Sequence, residues 1–346
     1  MEAVQEQPQG GDVRFNVKQQ VALTLIEAME KGDTPWQRPW DVQSGSSLNA
    51  RNPTTGNAYR GVNRILLAIA GAGYGSNLWL TYQQAAAKGW QVRKGQKGTM
   101  IVKVVDFERN QAGGDARPAA ANEGGGASGA KEGEQEQAMG KALRRYWVFN
   151  AEQIEGMPQP EEKAERDFEP VERAEAVMQA LIEKTGLMVI HGGNKACYVP
   201  AHDEIRLPPK KSFHTAYDLW ATKLHEAAHS TMAVHRLNRT EAYAKRWGDS
   251  AYALEELTAE IASAILASET GVPMCQDPKH IKNHASYLSN WIKAIQNDPM
   301  AIFTAAKNAD RICEYMLGLE RQMTALAPHK AWIEEYQRTP ELSLRR

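Results

Sequence analysis

The segment Lys223-Leu-His-Glu-Ala-Ala-His-Ser230 sets two histidines four residues apart, with a glutamate directly after the first. On a helix such a pair lies one above the other, so His225 and His229 can offer two imidazole nitrogens to one Zn²⁺ or another divalent ion. Glu226 then projects beside the metal, where it can take a proton from water. A zinc site of this kind needs a third protein ligand and keeps its fourth position for water. Glu255-Glu-Leu-Thr-Ala-Glu260 supplies three carboxylates downstream. Glu256 and Glu260 share a helix face, whereas Glu255 is turned about 100° from Glu256. The expected ligand is therefore Glu256, with Glu260 steadying a ligand histidine; Glu260 as ligand is the alternative. The chemistry open to this set is metal-assisted hydrolysis of an amide, with Glu226 passing a proton to the leaving amine. Tyr198, His202, His235 and Tyr252 are all candidates for the oxyanion donor, and the sequence does not choose among them.

A second constellation lies upstream. Aromatic and basic residues alternate through Trp36, Arg38 and Trp40, then Tyr59, Arg60 and Arg64, then Trp79, Tyr82, Lys88, Trp90, Arg93, Lys94 and Lys97. Single-stranded nucleic acid is held by aromatic platforms for bases and cations for phosphates. The candidates for such contacts are Trp36, Arg38, Trp40, Tyr59, Arg60, Arg64, Arg93, Lys94 and Lys97. Of the tryptophans at 36, 40, 79 and 90, at least half are expected in the core. In Arg93-Lys-Gly-Gln-Lys97 the glycine lets the backbone come close to phosphate. From Arg14 to Glu108 there are twelve Lys/Arg against six Asp/Glu, a net charge of +6 in a chain whose total is −1.

These residues need elements to position them. Val17, Val21, Leu25, Ile26 and Met29 follow a helical period over 16–31, with Gly32-Asp33 as a stop. An apolar helix is expected around 64–72, and a short one over 79–88 with Thr81 as N-cap. Residues 89–105 turn to strand character, with glycines marking a hairpin-like connection, and Tyr146-Trp-Val-Phe149 reads as a returning strand. Between them, about 110–141 is rich in Gly, Ala, Glu and Gln without aromatics, and is expected to be a disordered insertion. The second half opens with a helix over 171–185. Short strands follow at 187–190, 196–199 and 204–207, then one long helix over 213–235 that carries the histidines. Further helices are expected over 252–270, 278–296 and 299–319.

The resulting expectation is an α+β protein of two domains. Residues 1–13 form a disordered tail, 14–156 a small α+β single-strand-binding domain, 157–170 a linker, 171–325 a metal-binding domain with a small sheet, and 326–346 a tail. A length of 346 residues with 42% hydrophobic content is sufficient for two cores. No run of 18 apolar residues occurs, and the N-terminus lacks a leader pattern, so a cytoplasmic location away from membranes is expected. Cys197, Cys275 and Cys313 are scattered without metal-binding spacing, and are expected to be small core residues in a reducing compartment.

The sequence also resembles a known family. Pro35-Trp36, Asn57-Ala-Tyr-Arg-Gly-Val-Asn63, Trp79-Leu-Thr-Tyr-Gln-Gln84, Arg93-Lys-Gly95 and Val148-Phe-Asn-Ala-Glu-Gln-Ile-Glu-Gly156 resemble the N-terminal domain of ArdC-type antirestriction proteins, which also stands at the front of some plasmid primases. Tyr198-Val-Pro200, Asp203-Glu-Ile-Arg-Leu-Pro208, the His225–His229 motif, His235-Arg-Leu-Asn-Arg239 and Tyr252-Ala-Leu-Glu-Glu-Leu-Thr-Ala-Glu260 resemble the zincin-like metallopeptidase domain that follows it. The resemblance covers nearly all of residues 15–320 outside the low-complexity insertion. It implies single-stranded DNA as partner and a role, on conjugative plasmids or related elements, in protecting incoming DNA from host restriction. A host DNA-bound protein, such as a restriction enzyme, is a further partner expected if the metal site cuts a protein bound to that DNA. The family usually has Trp-Thr-Gly-His after the second histidine; here Ser230-Thr-Met-Ala-Val234 stands there. An active DNA-tethered zinc peptidase is one alternative function, and a replication or priming accessory protein another.

Overall fold

The structure is a computed structural model that describes residues 16–31, 47–71, 74–108, 139–158, 170–213, 215–239, 250–272 and 285–338. Helix α1 (Val17–Glu30) starts with a capping box in which the Asn16 side chain accepts from the Lys18 amide and Gln19 reaches back to the Asn16 amide. Helix α2 (Val62–Ala70) follows Gly61, whose φ of +58° suits glycine. Residues Trp79–Leu80 are a strand, β1, so the expected helix over 79–88 is confined to α3 (Tyr82–Ala87), capped by Thr81 and Gln84.

The expected hairpin in 89–105 is not formed. Strand β2 (Gln91–Val92) pairs with β5 (Ile154–Glu155), while β3 (Thr99–Glu108) pairs with β4 (Met139–Asn150). The β3–β4 ladder is antiparallel from Thr99 opposite Val148 to Glu108 opposite Met139, and β1 adds to the other edge of β4. Residues 139–141 are therefore strand rather than part of the insertion, because the ladder continues past the β-branched run to Glu108 and Met139. The rest of the insertion lies outside the described residues.

In the second half, α4 (Pro170–Thr185) places Pro170 at its first position, where a missing N–H costs nothing, and ends before Gly186 at φ +75°. A three-stranded sheet follows in the order β6 (Met188–His191), β8 (Glu204–Leu207), β7 (Cys197–Val199), with β6 parallel and β7 antiparallel to β8. Helix α5 (Ala216–Ser230) is capped by Thr215 and Asp218 and stops at Ser230, short of the expected 235. Helices α6 (Ser250–Thr270), α7 (Ala285–Asn297) and α8 (Ala301–Arg338) follow among the described residues, and α8 runs on through residues 326–338 that were expected to be tail.

One hydrophobic cluster runs without a break from Val21, Leu25, Ile65 and Leu66 of the first half to Leu257, Ile261, Trp291 and Ile312 of the second. At its centre α6 is buried on nearly every side, with Ala259, Ala262 and Ala267 letting neighbouring helices approach. Cys313 lies in this cluster, and burial pushes its thiol well above the ordinary range. Cys197 is exposed on edge strand β7, contrary to expectation, and Cys275 lies outside the described residues. Among the described residues no helix is long and apolar enough to cross a membrane.

Candidate metal centre and nucleic-acid surface

Helix α5 buries Trp220, Leu224, Ala227 and Ala228 in the core, which fixes its rotation and turns His225 and His229 toward α6. There the two imidazoles meet Glu256. The Nε2 atoms of His225 and His229 are 3.1 Å apart, and the Glu256 carboxylate straddles them, Oε2 lying 3.5 Å from His225 Nε2 and Oε1 3.5 Å from His229 Nε2. Donors around a metal at about 2.1 Å are separated by about 3.0 Å at right angles and about 3.4 Å in a tetrahedron, so this spacing fits one divalent ion.

The outer nitrogens strengthen the assignment. His225 Nδ1 lies 3.3 Å from Glu260 and His229 Nδ1 lies 3.2 Å from Glu255. A carboxylate at Nδ1 of each ring holds it so that both Nε2 atoms face one small space beside the Glu256 carboxylate. That convergence is relieved by a cation, either a proton between the two Nε2 atoms or a divalent metal that takes its place. His225, His229 and Glu256 thus form a divalent-metal-binding triad. Glu256 is the ligand expected from the sequence and Glu260 its support, while the role of Glu255 was missed. The Glu-Glu spacing alone places Glu255 on a different face from Glu256, and only the position of α5 reveals that this face meets His229.

Burying three carboxylates on α6 requires compensating cations. Burial disfavours a charged His225, but hydrogen bonds to Glu256 and Glu260 and the nearby charge of Glu226 outweigh it, and its imidazole is held well above the usual histidine range. Burial likewise pushes the Glu256 carboxyl up, but hydrogen bonds from His225 and Tyr252 and the charges of both histidines hold it below the usual carboxylate range. For Glu255 the compensating charge is Arg239, which pairs with its second oxygen. Arg239 arrives through a tight return after α5: Leu237 donates to the Thr231 carbonyl, and Asn238 adopts φ +48°. The guanidinium then also donates to the Ala228 carbonyl at 3.0 Å and the Thr231 hydroxyl at 2.9 Å. Glu226 is buried next to this cluster, with no hydrogen bond to its side chain among the described residues.

The oxyanion candidates separate. Tyr252 hydrogen-bonds Glu256. Tyr198 instead donates to Asp203 at 2.8 Å, His235 stands 3.5 Å from the same carboxylate, and His202 is exposed in the adjoining turn. Asp203 forms a two-pronged pair with Arg236, 2.7 Å at each prong, and Arg236 also ties the Ser230 carbonyl and the Thr185 hydroxyl. This knot fixes the β7–β8 turn and the end of α4 to the end of α5.

In the first half, Arg93, Lys94 and Lys97 are exposed on one loop. Arg60 is exposed and paired with Glu314 of α8. Tyr59 is half-buried and donates to the Trp79 carbonyl at 2.9 Å. Arg64 is only 7% exposed; it donates to the Leu48 carbonyl and lies 3.6 Å from Glu269 of α6 and 3.5 Å from Asp310 of α8. Its basic charge is consumed by the contact between the two halves, which corrects the expectation that it faces a nucleic acid. Trp79 is buried and Trp90 half-buried, while Trp36, Arg38 and Trp40 lie outside the described residues. Tyr146 and Trp147 on β4 are exposed aromatics not among the sequence candidates, although the run Arg-Arg-Tyr-Trp carries the same basic and aromatic signal.

Comparison with known proteins agrees with this geometry. Residues 15–149 match the N-terminal domain of anti-restriction factor ArdC, and residues 176–308 match the zincin-like metallopeptidase family. The chain is 39% identical over 315 residues to a DNA primase TraC of Escherichia coli and 38% identical over 306 residues to another, spanning only 28% and 20% of their lengths. It is 33% identical to the uncharacterized protein y4eC of Sinorhizobium fredii and spans 91% of it. The metal-free crystal structure of the antirestriction ArdC protein of plasmid R388 superposes with a TM-score of 0.68 at 31% identity, covering 89% of this chain and 99% of that one. Its Mn(II)-bound structure gives 0.64 at 31% identity, covering 88% and 98%. Matched in both domains and along nearly the whole of that protein, the chain belongs to the ArdC-type antirestriction proteins, a family in which a single-stranded-DNA-binding N-terminal domain precedes a zincin-like metallopeptidase domain.

Proposed function

We propose that the protein binds the single-stranded DNA of an incoming plasmid or related element in the cytoplasm and protects it from host restriction. The observation that carries this reading is the coverage of 99% of the R388 ArdC chain by both domains together. The test is conjugative transfer of unmodified DNA into a restricting host, with and without this protein. Equal transfer efficiency in the two cases would overturn it.

A second reading, hydrolysis of a protein bound to the same DNA such as a restriction enzyme, is favoured by the completeness of the metal centre. A divalent ion held by His225, His229 and Glu256 would supply Lewis acidity toward a carbonyl and a water molecule. Glu226, with no hydrogen bond on its side chain among the described residues, can hold the water's proton and deliver it to the leaving amine. Glu260 and Glu255 keep the imidazoles oriented, and the Tyr252 hydroxyl, which donates to Glu256, steadies that carboxylate. DNA binding would concentrate the enzyme on its target. Glu226→Gln should retain metal and lose hydrolysis, so undiminished protection by that variant would separate the first reading from the second. Occurrence of the same module in proteins named DNA primase TraC supports work on single strands, and a priming-accessory role is the remaining alternative.

A further inference from the structure

The loop that connects β2 to β3 is held from behind. The Arg93 amide donates to the Gln153 carbonyl at 3.0 Å, and the buried Gln153 side chain donates to the Gln96 side chain and the Lys97 carbonyl, both at 3.0 Å. Gly95, at φ +85°, makes the turn. With its backbone so fixed, the loop presents Lys94 and Lys97 to solvent, and neither forms an ion pair among the described residues. The loop backbone therefore loses little freedom when its lysines meet an anion.

This loop ends against an aromatic ring's strand. A Cβ at Gly98 would stand 3.2 Å from Cβ of Trp147, so the chain passes directly beside that residue. Trp147 lies opposite Met100 in the β3–β4 ladder and is 53% exposed. Two positions toward one end of the strand, Phe149 packs into a small core with Leu80 and Val92. Two positions toward the other, Arg145 is exposed on the same face, about 6.6 Å along the strand; one guanidinium nitrogen donates to the Gln20 side chain of α1 at 3.1 Å, and the group carries further N–H donors. A large apolar side chain left half in water, with exposed cations on the adjoining loop and strand, is what a stacking site for an unpaired base requires, because the ring gains burial and neighbouring charges can meet phosphates.

We propose that Trp147 is the base-stacking platform of the N-terminal domain, with Lys94 and Lys97 on one side and Arg145 on the other taking the phosphates of one single strand. The assignment rests on the single-stranded-DNA reading above. Stacking on Trp147 depends on the presence of a base and not on its identity, so the site accepts any sequence, whereas the cations account for the salt dependence.

The test uses the full-length protein and two fluorescently labelled oligonucleotides of equal length, oligo-dT and its abasic counterpart, followed by anisotropy. Trp147→Ala should weaken oligo-dT binding about 5- to 150-fold while leaving abasic binding and the salt slope as in wild type. Trp147→Phe should restore most of the loss, and because the side chain is half-exposed both variants should keep the wild-type melting temperature. Lys94→Ala/Lys97→Ala should weaken both oligonucleotides and flatten the salt slope. Wild-type affinity of Trp147→Ala for oligo-dT, or equal losses on the two oligonucleotides, would overturn the assignment while leaving single-strand binding standing. Loss of base-dependent binding in Tyr146→Ala instead would move the platform to the opposite face of the hairpin. Absence of single-strand binding by the wild type would overturn both readings.

Discussion

His229 and Glu255 are joined at 3.2 Å through the imidazole nitrogen that faces away from His225. This contact links the metal centre to Arg239, because the other oxygen of Glu255 carries the arginine. The ligand histidine is thus oriented by a buried ion pair. Removing Arg239 leaves an uncompensated carboxylate, at a cost of about 3–5 kcal/mol. Arg239→Met should show this loss in denaturant unfolding and a metal affinity lower by about 10–100-fold. The double variant Arg239→Met/Glu255→Gln should recover part of the stability, since no unpaired charge remains.

Metal content should follow the triad. His225→Ala and Glu256→Ala should lose stoichiometric metal in elemental analysis, whereas Glu226→Gln should keep it. Chelation of wild-type protein should lower the melting temperature, because a ligand at 100 times its dissociation constant adds about 2.7 kcal/mol to the folded state. Full metal retention by Glu256→Ala would return the ligand role to Glu260.

The raised pKa of His225 has a defined direction. In metal-free protein its protonation adds stability that is fully present below the unfolded histidine value of about 6.5 and is lost as pH rises through the higher folded value. A metal ion must displace that proton, so apparent metal affinity should rise with pH from 6 until the raised value is passed. Calorimetry in buffers of different ionisation enthalpy should detect proton release on binding, with the largest release at the acid end.

Asp203 and Arg236 should behave as a structural knot. The Arg236 side chain is 0% exposed, so Asp203→Ala leaves a buried guanidinium short of its anion and should cost about 3–5 kcal/mol in unfolding. Burial alone would raise the Asp203 carboxyl, but hydrogen bonds from Arg236 and Tyr198 hold it below its usual value. Its contribution is therefore present above the unfolded value and disappears as pH falls through the lowered one, which should be absent from the acid-unfolding curve of Asp203→Ala.

Arg64 should act on folding and not on DNA. Arg64→Ala removes the cation between Glu269 and Asp310 and should lower the unfolding midpoint, while the salt slope of single-strand binding stays as in wild type. A shallower slope in that variant would return Arg64 to the nucleic-acid surface.

Much of the metal centre was legible without coordinates because helical periodicity is local. The four-residue intervals His225–His229 and Glu256–Glu260 already fix which side chains share a face. The same holds for α1 and α4, whose apolar stripes and end signals lie within each segment, for the end of α6 before Gly271, and for Thr81 as a cap. Strand pairing was legible only in part: β3 and its return β4 stand out by composition, but the partner of β2 is β5, more than sixty positions away, and nothing local names it. The end of α5 at Ser230 was hidden for the same reason, since the return that follows is held by Arg239 and Arg236 on groups of other elements.

By itself, then, the chain determined the donor types, their spacing and the basic character of the first half. The tertiary structure decided which charges remain available. It places Glu255 against His229, spends Arg64 between the two halves, and leaves Trp147 half in water beside Gly98. The physical reason is that a residue's type records what it can pair with, whereas burial and neighbours from distant segments decide whether that capacity is consumed inside the fold or offered to a ligand.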